Sequence, residues 1–282
     1  MTSLKDASSK HQLKANQIRM EWRTSENYGK VLILVEGPED STFYFKFFNR
    51  ENSSIRNSGG CGTLKGVYSI LRASDEITCI AIKDSDFDRI NGVPVVDENF
   101  FYADNHDYEM MCLSDRDVCK TFFENLGIDP DEGLIDLIID ELRYLSFFKW
   151  YNYTYTKCYI MARIKVDSED MTADKLKNYD FLHTSCYNPA SSHGLIEKDD
   201  LDDFIERHQE CSDWEFINGH DFIQRLCFYL KSTHHKNNLN EEKIKFALYP
   251  CFDMNAFQRT LLYGNIRRWE VNNGKPILKP VS

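Results

Sequence analysis

No stretch of this sequence approaches the roughly 18 consecutive apolar residues that a bilayer-spanning helix needs, so no membrane-spanning helix is expected. The opening residues, Met1-Thr2-Ser3-Leu4-Lys5-Asp6, lack the apolar core of a secretion signal. The nine cysteines form no C-x-x-C pair and show no regular spacing, which reads as reduced thiols rather than a disulfide framework. The glycine-rich segment Asn57 to Gly62 has no lysine or serine in the places that would complete a P-loop. Internal repeats and low-complexity tracts are also missing. These absences lead to the expectation of a soluble cytoplasmic chain, 282 residues long, holding one large domain or two ordinary ones.

Positive charge is in short supply too. The net charge of −11 speaks against a general nucleic-acid binder, because phosphate affinity is largely electrostatic. The charge is unevenly spread, however. Glu197 to Glu215 holds nine acids and two bases, whereas Lys243 to the end holds seven bases and two acids. A basic segment beside an acidic belt can still meet phosphate locally.

What the sequence does have is three short acidic clusters, each just after an apolar run. Glu36, with Glu39 and Asp40, follows Val31-Leu32-Ile33-Leu34-Val35. Asp84-Ser85-Asp86-Phe87-Asp88 follows Cys79-Ile80-Ala81-Ile82. Asp107 and Glu109 come soon after Phe100-Phe101-Tyr102. Such runs read as strands buried on both faces, the habit of parallel sheets. Functional charge in α/β sheets gathers at the carboxyl ends of those strands, so the three clusters are expected to meet in one crevice. Crowded carboxylates raise one another's pKa, and a divalent cation is the natural partner that keeps them ionised. All-oxygen ligands favour Mg²⁺ or Mn²⁺ over zinc. Asp84 and Asp86, two apart in an extended segment, are expected to face the same ion, with Asp88 joining only if the extension persists.

The remaining pattern is mostly helical. A short helix is expected before residue 27. Another opens at Glu39 with Phe43, Tyr44, Phe47 and Phe48 as its aromatic face. A third carries Leu64, Val67, Ile70 and Leu71, and a fourth starts near Asp107, which would place Asp107 and Glu109 in a first turn stabilised by the helix dipole. Ser114 to Asp117 reads as a capping start for a helix ending at Gly127. A domain boundary is expected there: residues 1–127 as a catalytic α/β domain and 128–282 as a mostly helical domain for partner, dimer or substrate contacts. Between Tyr144 and Tyr159 lie eight aromatics, interleaved with Lys149 and Lys157 and followed by Arg163 and Lys165. That composition suits single-stranded nucleic acid, although a helix-packing core is the weightier reading. His183, Cys186 and His193 are three zinc-ligand candidates without a clear fourth.

Val35-Glu36-Gly37 with Asp40, then a strand into Asp84-Ser85-Asp86, resembles the Toprim domain of topoisomerases, bacterial primases and the overcoming-lysogenization-defect nucleases. The fuller strings Leu34 to Tyr44, Asp84 to Asp88, His106 to Met111 and Gly219-His220-Asp221 are similar to a subgroup of Toprim effectors. The best understood of these are the nuclease subunits of the PARIS phage-defence system. The Toprim motifs cover about the first 115 residues.

The resemblance implies a Rossmann-like, mainly parallel sheet flanked by helices, and metal-dependent phosphodiester hydrolysis by a pair of ions. Glu36 and Asp40 would serve one ion, Glu36 doubling as general base. Asp84 and Asp86 would hold the other, and Asp107 and Glu109 are further ligand candidates. Lys83 or Lys65 would steady the phosphate. It also implies an endonuclease toxin of antiviral defence that cuts transfer RNA, with DNA as the other candidate, when released by a separate ATPase subunit, and that dimerises on activation. Two other functions fit the same residues: a catalytically silent Toprim-like module that regulates an ATPase, and a phosphotransfer or phosphatase enzyme using Asp84 and Asp86, which would not require Glu36.

Overall fold

The structure, a computed structural model, describes residues 4–24, 26–60, 62–74, 76–130 and 133–280, with side chains from residue 10 onward. It is a mixed α/β chain whose four-stranded sheet is parallel throughout, flanked by helices and followed by a helical remainder. The chain divides into two compact units. One comprises residues 1–84, 94–104 and 253–282; the other comprises 85–93 and 105–252. The division follows tertiary packing rather than chain order: among the described residues, 253–280 group with the sheet.

The sheet unit opens with α1 (Leu4–Trp22) and β1 (Val31–Val35), followed by α2 (Pro38–Tyr44), β2 (Ser53–Asn57), α3 (Leu64–Arg72), β3 (Cys79–Lys83) and β4 (Phe100–Tyr102). β1 and β3 form where apolar runs rich in Val and Ile can be covered on both faces, and every residue of both, the terminal Lys83 included, is buried. On one face Leu32, Leu34, Cys79 and Ala81 pack against Ala15, Ile18 and Trp22 of α1 and Leu64, Val67 and Leu71 of α3. β2 was not expected from the sequence. It carries a single apolar residue, Ile55, yet pairs with β1 from Val31↔Ser53 to Val35↔Asn57. Strand order is β2-β1-β3-β4.

The helical unit holds α4 (Tyr108–Ser114), α5 (Arg116–Asn125), α6 (Leu134–Thr154), a 3₁₀ turn at Met161–Arg163, α7 (Ala173–Leu176), α8 (Tyr179–Cys186), α9 (Lys198–His208), α10 (Asp213–Phe216), α11 (Gly219–Ser232) and α12 (Glu241–Cys251). Its core is built on α6. Phe147, Phe148 and Trp150 are buried there, so most of the aromatic stretch serves packing. Glu141 on the same helix takes a buried ion pair from Arg225 at 2.7 Å, and Arg225 also donates to the Val166 and Met171 carbonyls at 3.0 and 2.9 Å. The acidic run forms α9, which buries Leu201 and Phe204 and leaves its charges outward.

The chain then returns to the sheet unit as α13 (Met254–Gln258) and α14 (Leu261–Asn273). Phe257 stacks on Phe47 with centroids 4.3 Å apart, Trp269 Nε1 donates to Asn99 Oδ1, and the Leu261 and Leu262 amides donate to Asp104 at 2.5 and 2.8 Å. No helix among the described residues is long and apolar enough to cross a membrane.

Candidate functional site

In the sheet unit the chain leaves β1 towards β2 on one side and later returns to β3 on the other. The carboxyl ends of β1 and β3 are therefore the point where strand order reverses. An open parallel sheet leaves a crevice at that point, and the first residues beyond those two strands are Glu36 and Asp84. Leu34 pairs with Ala81, so two positions on, Glu36 stands beside Lys83. The Lys83 ammonium lies 3.5 Å from Glu36 Oε1, with both side chains about nine-tenths buried. Lys83 Nζ also donates to the Asp84 carbonyl at 2.9 Å and lies 5.9 Å from the Tyr102 ring centre, the same distance as Lys65 Nζ.

The glycine loop positions Glu36 through the backbone. The Gly60 amide and the Ser58 hydroxyl donate to the Glu36 carbonyl at 3.0 and 3.1 Å. Gly60 does so at φ +118°, a conformation that residues with a Cβ rarely adopt. Asp40 is buried and turns back on its own helix, accepting the Gly37 amide at 2.8 Å, which closes the first turn of α2 behind Pro38.

The sequence places Asp84 and Asp86 on one side of an extended segment; the backbone does not support that. The strand ends at Lys83 and Asp86 sits at φ +44°, in the left-handed region, so the alternation on which that expectation rests is broken. Asp88, in the turn that follows, accepts the Tyr153 hydroxyl at 2.6 Å within the helical unit.

In the helical unit the motifs around residues 107 and 219 come together. Asp107 is the N-cap of α4: Oδ1 accepts the Met110 amide at 2.9 Å, and Oδ2 accepts the Gly219 amide, at the start of α11, at 2.7 Å. A Cβ on Gly219 would overlap Asp107 Oδ1, so glycine is the residue that lets the two helix starts meet. Burial, then the neighbouring Glu109 carboxylate, hold the Asp107 pKa well above the usual range. Glu109 pairs with Lys245 at 3.0 Å, and Asp221 with Lys149. His106 is 2% exposed, and burial pushes its pKa down to about 4. Its Nδ1 has no hydrogen-bond partner among the described residues, and its Nε2 lies 3.3 Å from Asn218 Nδ2. Sequence reasoning gave the lysines no place here, since Lys149 and Lys245 are remote in sequence from the acids they pair.

The six expected metal ligands thus divide: Glu36, Asp40 and Asp84 belong to the sheet unit, and Asp86, Asp107 and Glu109 to the helical unit. Among the described residues no three His, Cys, Asp or Glu side chains are gathered into a metal-holding group. The same holds for His183, Cys186 and His193: His183 Nδ1 is instead hydrogen-bonded with the Tyr159 hydroxyl at 2.8 Å. The sheet-end donor set still suits Mg²⁺, an ion usually held by one or two carboxylates and several waters together with substrate phosphate rather than by a closed protein cage. No protein-family model, curated protein or solved structure matches the chain.

Proposed function

We propose that the carboxyl end of the sheet is the centre of a metal-dependent phosphodiester hydrolase, a nuclease of the Toprim kind. The observation that carries this reading is the coincidence of Glu36 and Asp84 with the strand-order reversal between β1 and β3, beside the Lys83 ammonium. Crevices of that type take ligands outside the strand ends. Carboxylates and ammonium groups side by side suit a substrate that brings both a phosphate and its counter-cation.

Glu36 and Asp84 would hold a hydrated Mg²⁺ or Mn²⁺, which, when bound, offsets charge on the phosphate and favours ionisation of a water. Lys83 fixes the orientation of Glu36 through their ion pair and holds positive charge at the crevice for a phosphate oxygen. Lys65 adds a second positive charge next to Tyr102. Asp40 steadies the β1–α2 turn that carries Glu36. In its fullest form the reading is an RNA-cutting effector of antiviral defence, directed at transfer RNA, held or released by a separate ATPase and active as a dimer.

One observation favours a second reading. The Lys83–Glu36 pair already balances the Glu36 carboxylate, as it would in a catalytically silent module that only binds a regulatory partner. Purified chain incubated with total transfer RNA and with plasmid DNA, in Mg²⁺ or Mn²⁺ and against an EDTA blank, separates the two. Cutting by the wild type, lost in Glu36→Ala and Asp84→Ala, supports the nuclease. Phosphatase activity that survives Glu36→Ala favours the phosphotransfer alternative. Intact substrates in every lane, with no metal uptake by calorimetry, favour the silent module.

A further inference from the structure

The helical unit contains a cavity of about 430 Å³ lined by Phe87, Lys149, Tyr153, Lys165, Asn218 and Gln224, among others. A volume in the 300–1,000 Å³ range is that of a small-molecule site. Its lining combines an aromatic surface with cations, which the chemistry at the sheet end does not use. Tyr153 is 47% exposed, yet its ring is held. Its hydroxyl donates to the buried Asp88 at 2.6 Å, and Phe87 packs against it with centroids 5.4 Å apart. A ring anchored at its hydroxyl and still half exposed to solvent is a stacking platform with little ordering left to do on binding.

The charge around the cavity is favourable for phosphate. Asp221 is balanced by its ion pair with Lys149, which leaves Lys165 as one net positive charge. Lys165 is exposed and forms no ion pair among the described residues. Gln224 Nε2 reaches His220 at 3.0 Å, while its carbonyl oxygen has no partner among the described residues. A stacking ring, a cation and an amide acceptor are the three things a nucleotide unit asks for: a face for the base, charge for the phosphate, and an acceptor for an exocyclic amine. Ala162, Lys165 and His220 at the rim are exposed, so a chain can enter and leave.

We propose that this cavity is a subsite for one nucleotide of a single-stranded nucleic acid, its base stacked on Tyr153 and its phosphate drawn to Lys165. The inference rests on the proposed nuclease only for the kind of substrate. It concerns binding, so it is tested without metal.

The test uses the full chain carrying Glu36→Ala, in EDTA. It measures fluorescence anisotropy with labelled single-stranded RNA, the same sequence as DNA, and adenosine monophosphate as competitor. The expected result is strand binding that weakens about 5- to 100-fold in Tyr153→Ala and clearly less in Tyr153→Phe, which keeps the stacking ring and loses only its anchor on Asp88. Lys165→Ala, an exposed position whose change leaves the fold intact, should lower the salt slope by roughly 0.7, a change that a merely structural role would not produce. RNA favoured over DNA would add a 2′-hydroxyl contact. Three outcomes overturn the proposal: no strand binding, strand binding equal in wild type, Tyr153→Ala and Lys165→Ala, or monophosphate binding without strand binding. Strand binding that follows the expected pattern in a chain that cuts nothing with metal leaves the subsite standing and removes the nuclease.

Discussion

The carboxylates of the sheet unit and those of the helical unit look alike in sequence, each set close behind an apolar run, but their surroundings differ. In the helical unit the acids have structural work. Asp107 joins the starts of α4 and α11, Glu109 pairs with Lys245, Asp221 with Lys149, and Asp88 takes the Tyr153 hydroxyl. In the sheet unit Glu36 and Asp84 stand past the ends of two central strands, at the reversal of strand order, with lysines as neighbours. A carboxylate whose oxygens are taken by backbone amides holds a fold together. One at a strand end, where an open parallel sheet leaves a crevice, is placed where ligands bind. An acid's position relative to strand and helix ends, rather than its presence in a motif, is what makes Glu36 and Asp84 the candidates for chemistry.

The largest expected effect bears directly on that contrast. Glu36→Gln should lower any metal-dependent cleavage on the order of 10²–10³-fold in the protein that remains folded, and, because it takes the partner from the buried Lys83 ammonium, it should also lower the urea midpoint. A variant that loses stability and keeps its activity would break the comparison. The converse holds for Asp107→Ala, which removes one cap and orphans two amides in a buried setting. A loss of about 2–4 kcal/mol in denaturant unfolding is expected. Gly219→Ala should reproduce much of that loss by steric means, because its Cβ would overlap Asp107 Oδ1 and stand 2.6 Å from Glu109 Cβ.

A pH profile sharpens the same contrast. The unfolded chain binds a proton at His106 near pH 6.5, and the folded chain only near 4, because burial excludes the charged ring. The unfolded state therefore takes up the proton first, and the His106 contribution to stability is lost as pH falls from about 6.5 towards 4. Asp107 has the opposite sign. Its raised folded pKa gives a contribution that is full below the ordinary carboxylate range and is lost as pH rises through the raised value. Urea unfolding between pH 4 and 7 should show a shallower acid-side fall in His106→Gln than in the wild type; equal slopes would remove His106 from the account.

The sequence made β1, β3 and α3 legible because uninterrupted apolar runs and 3.6-residue periodicity are local signals, and the start of α4 near Asp107 was readable for the same reason. β2 was not readable. Ser53-Ser54-Ile55-Arg56-Asn57 is a half-buried edge strand whose pairing with β1, not its composition, makes it a strand. The break at Asp86 had a signal that went unused, since Asp-Ser-Asp is turn chemistry as readily as it is a ligand pair. The return of residues 253–282 to the sheet had none. Phe257 on Phe47 and Trp269 on Asn99 are contacts between residues 210 and 170 positions apart, invisible to any local window. The place of Glu36 and Asp84 directly after β1 and β3 is readable from the apolar runs that precede them, whereas the ion pair that balances Glu36 depends on the β1–β3 register.

The smallest effect tests whether the sheet unit also separates structure from chemistry by position. Asn99 precedes β4 and so lies at the amino end of the sheet, away from the carboxyl ends where Glu36 and Asp84 stand. Trp269 on α14 donates to it, and both residues are buried. Trp269→Phe keeps an aromatic ring in the core but leaves the Asn99 oxygen without that donor. The expected cost is about 1–2 kcal/mol in urea unfolding, with metal-dependent cleavage unchanged once the folded fraction is corrected for. Should cleavage fall tenfold in a variant that remains folded, the two ends of the sheet are coupled, and the crevice depends on α14 as well as on the strands that carry its acids.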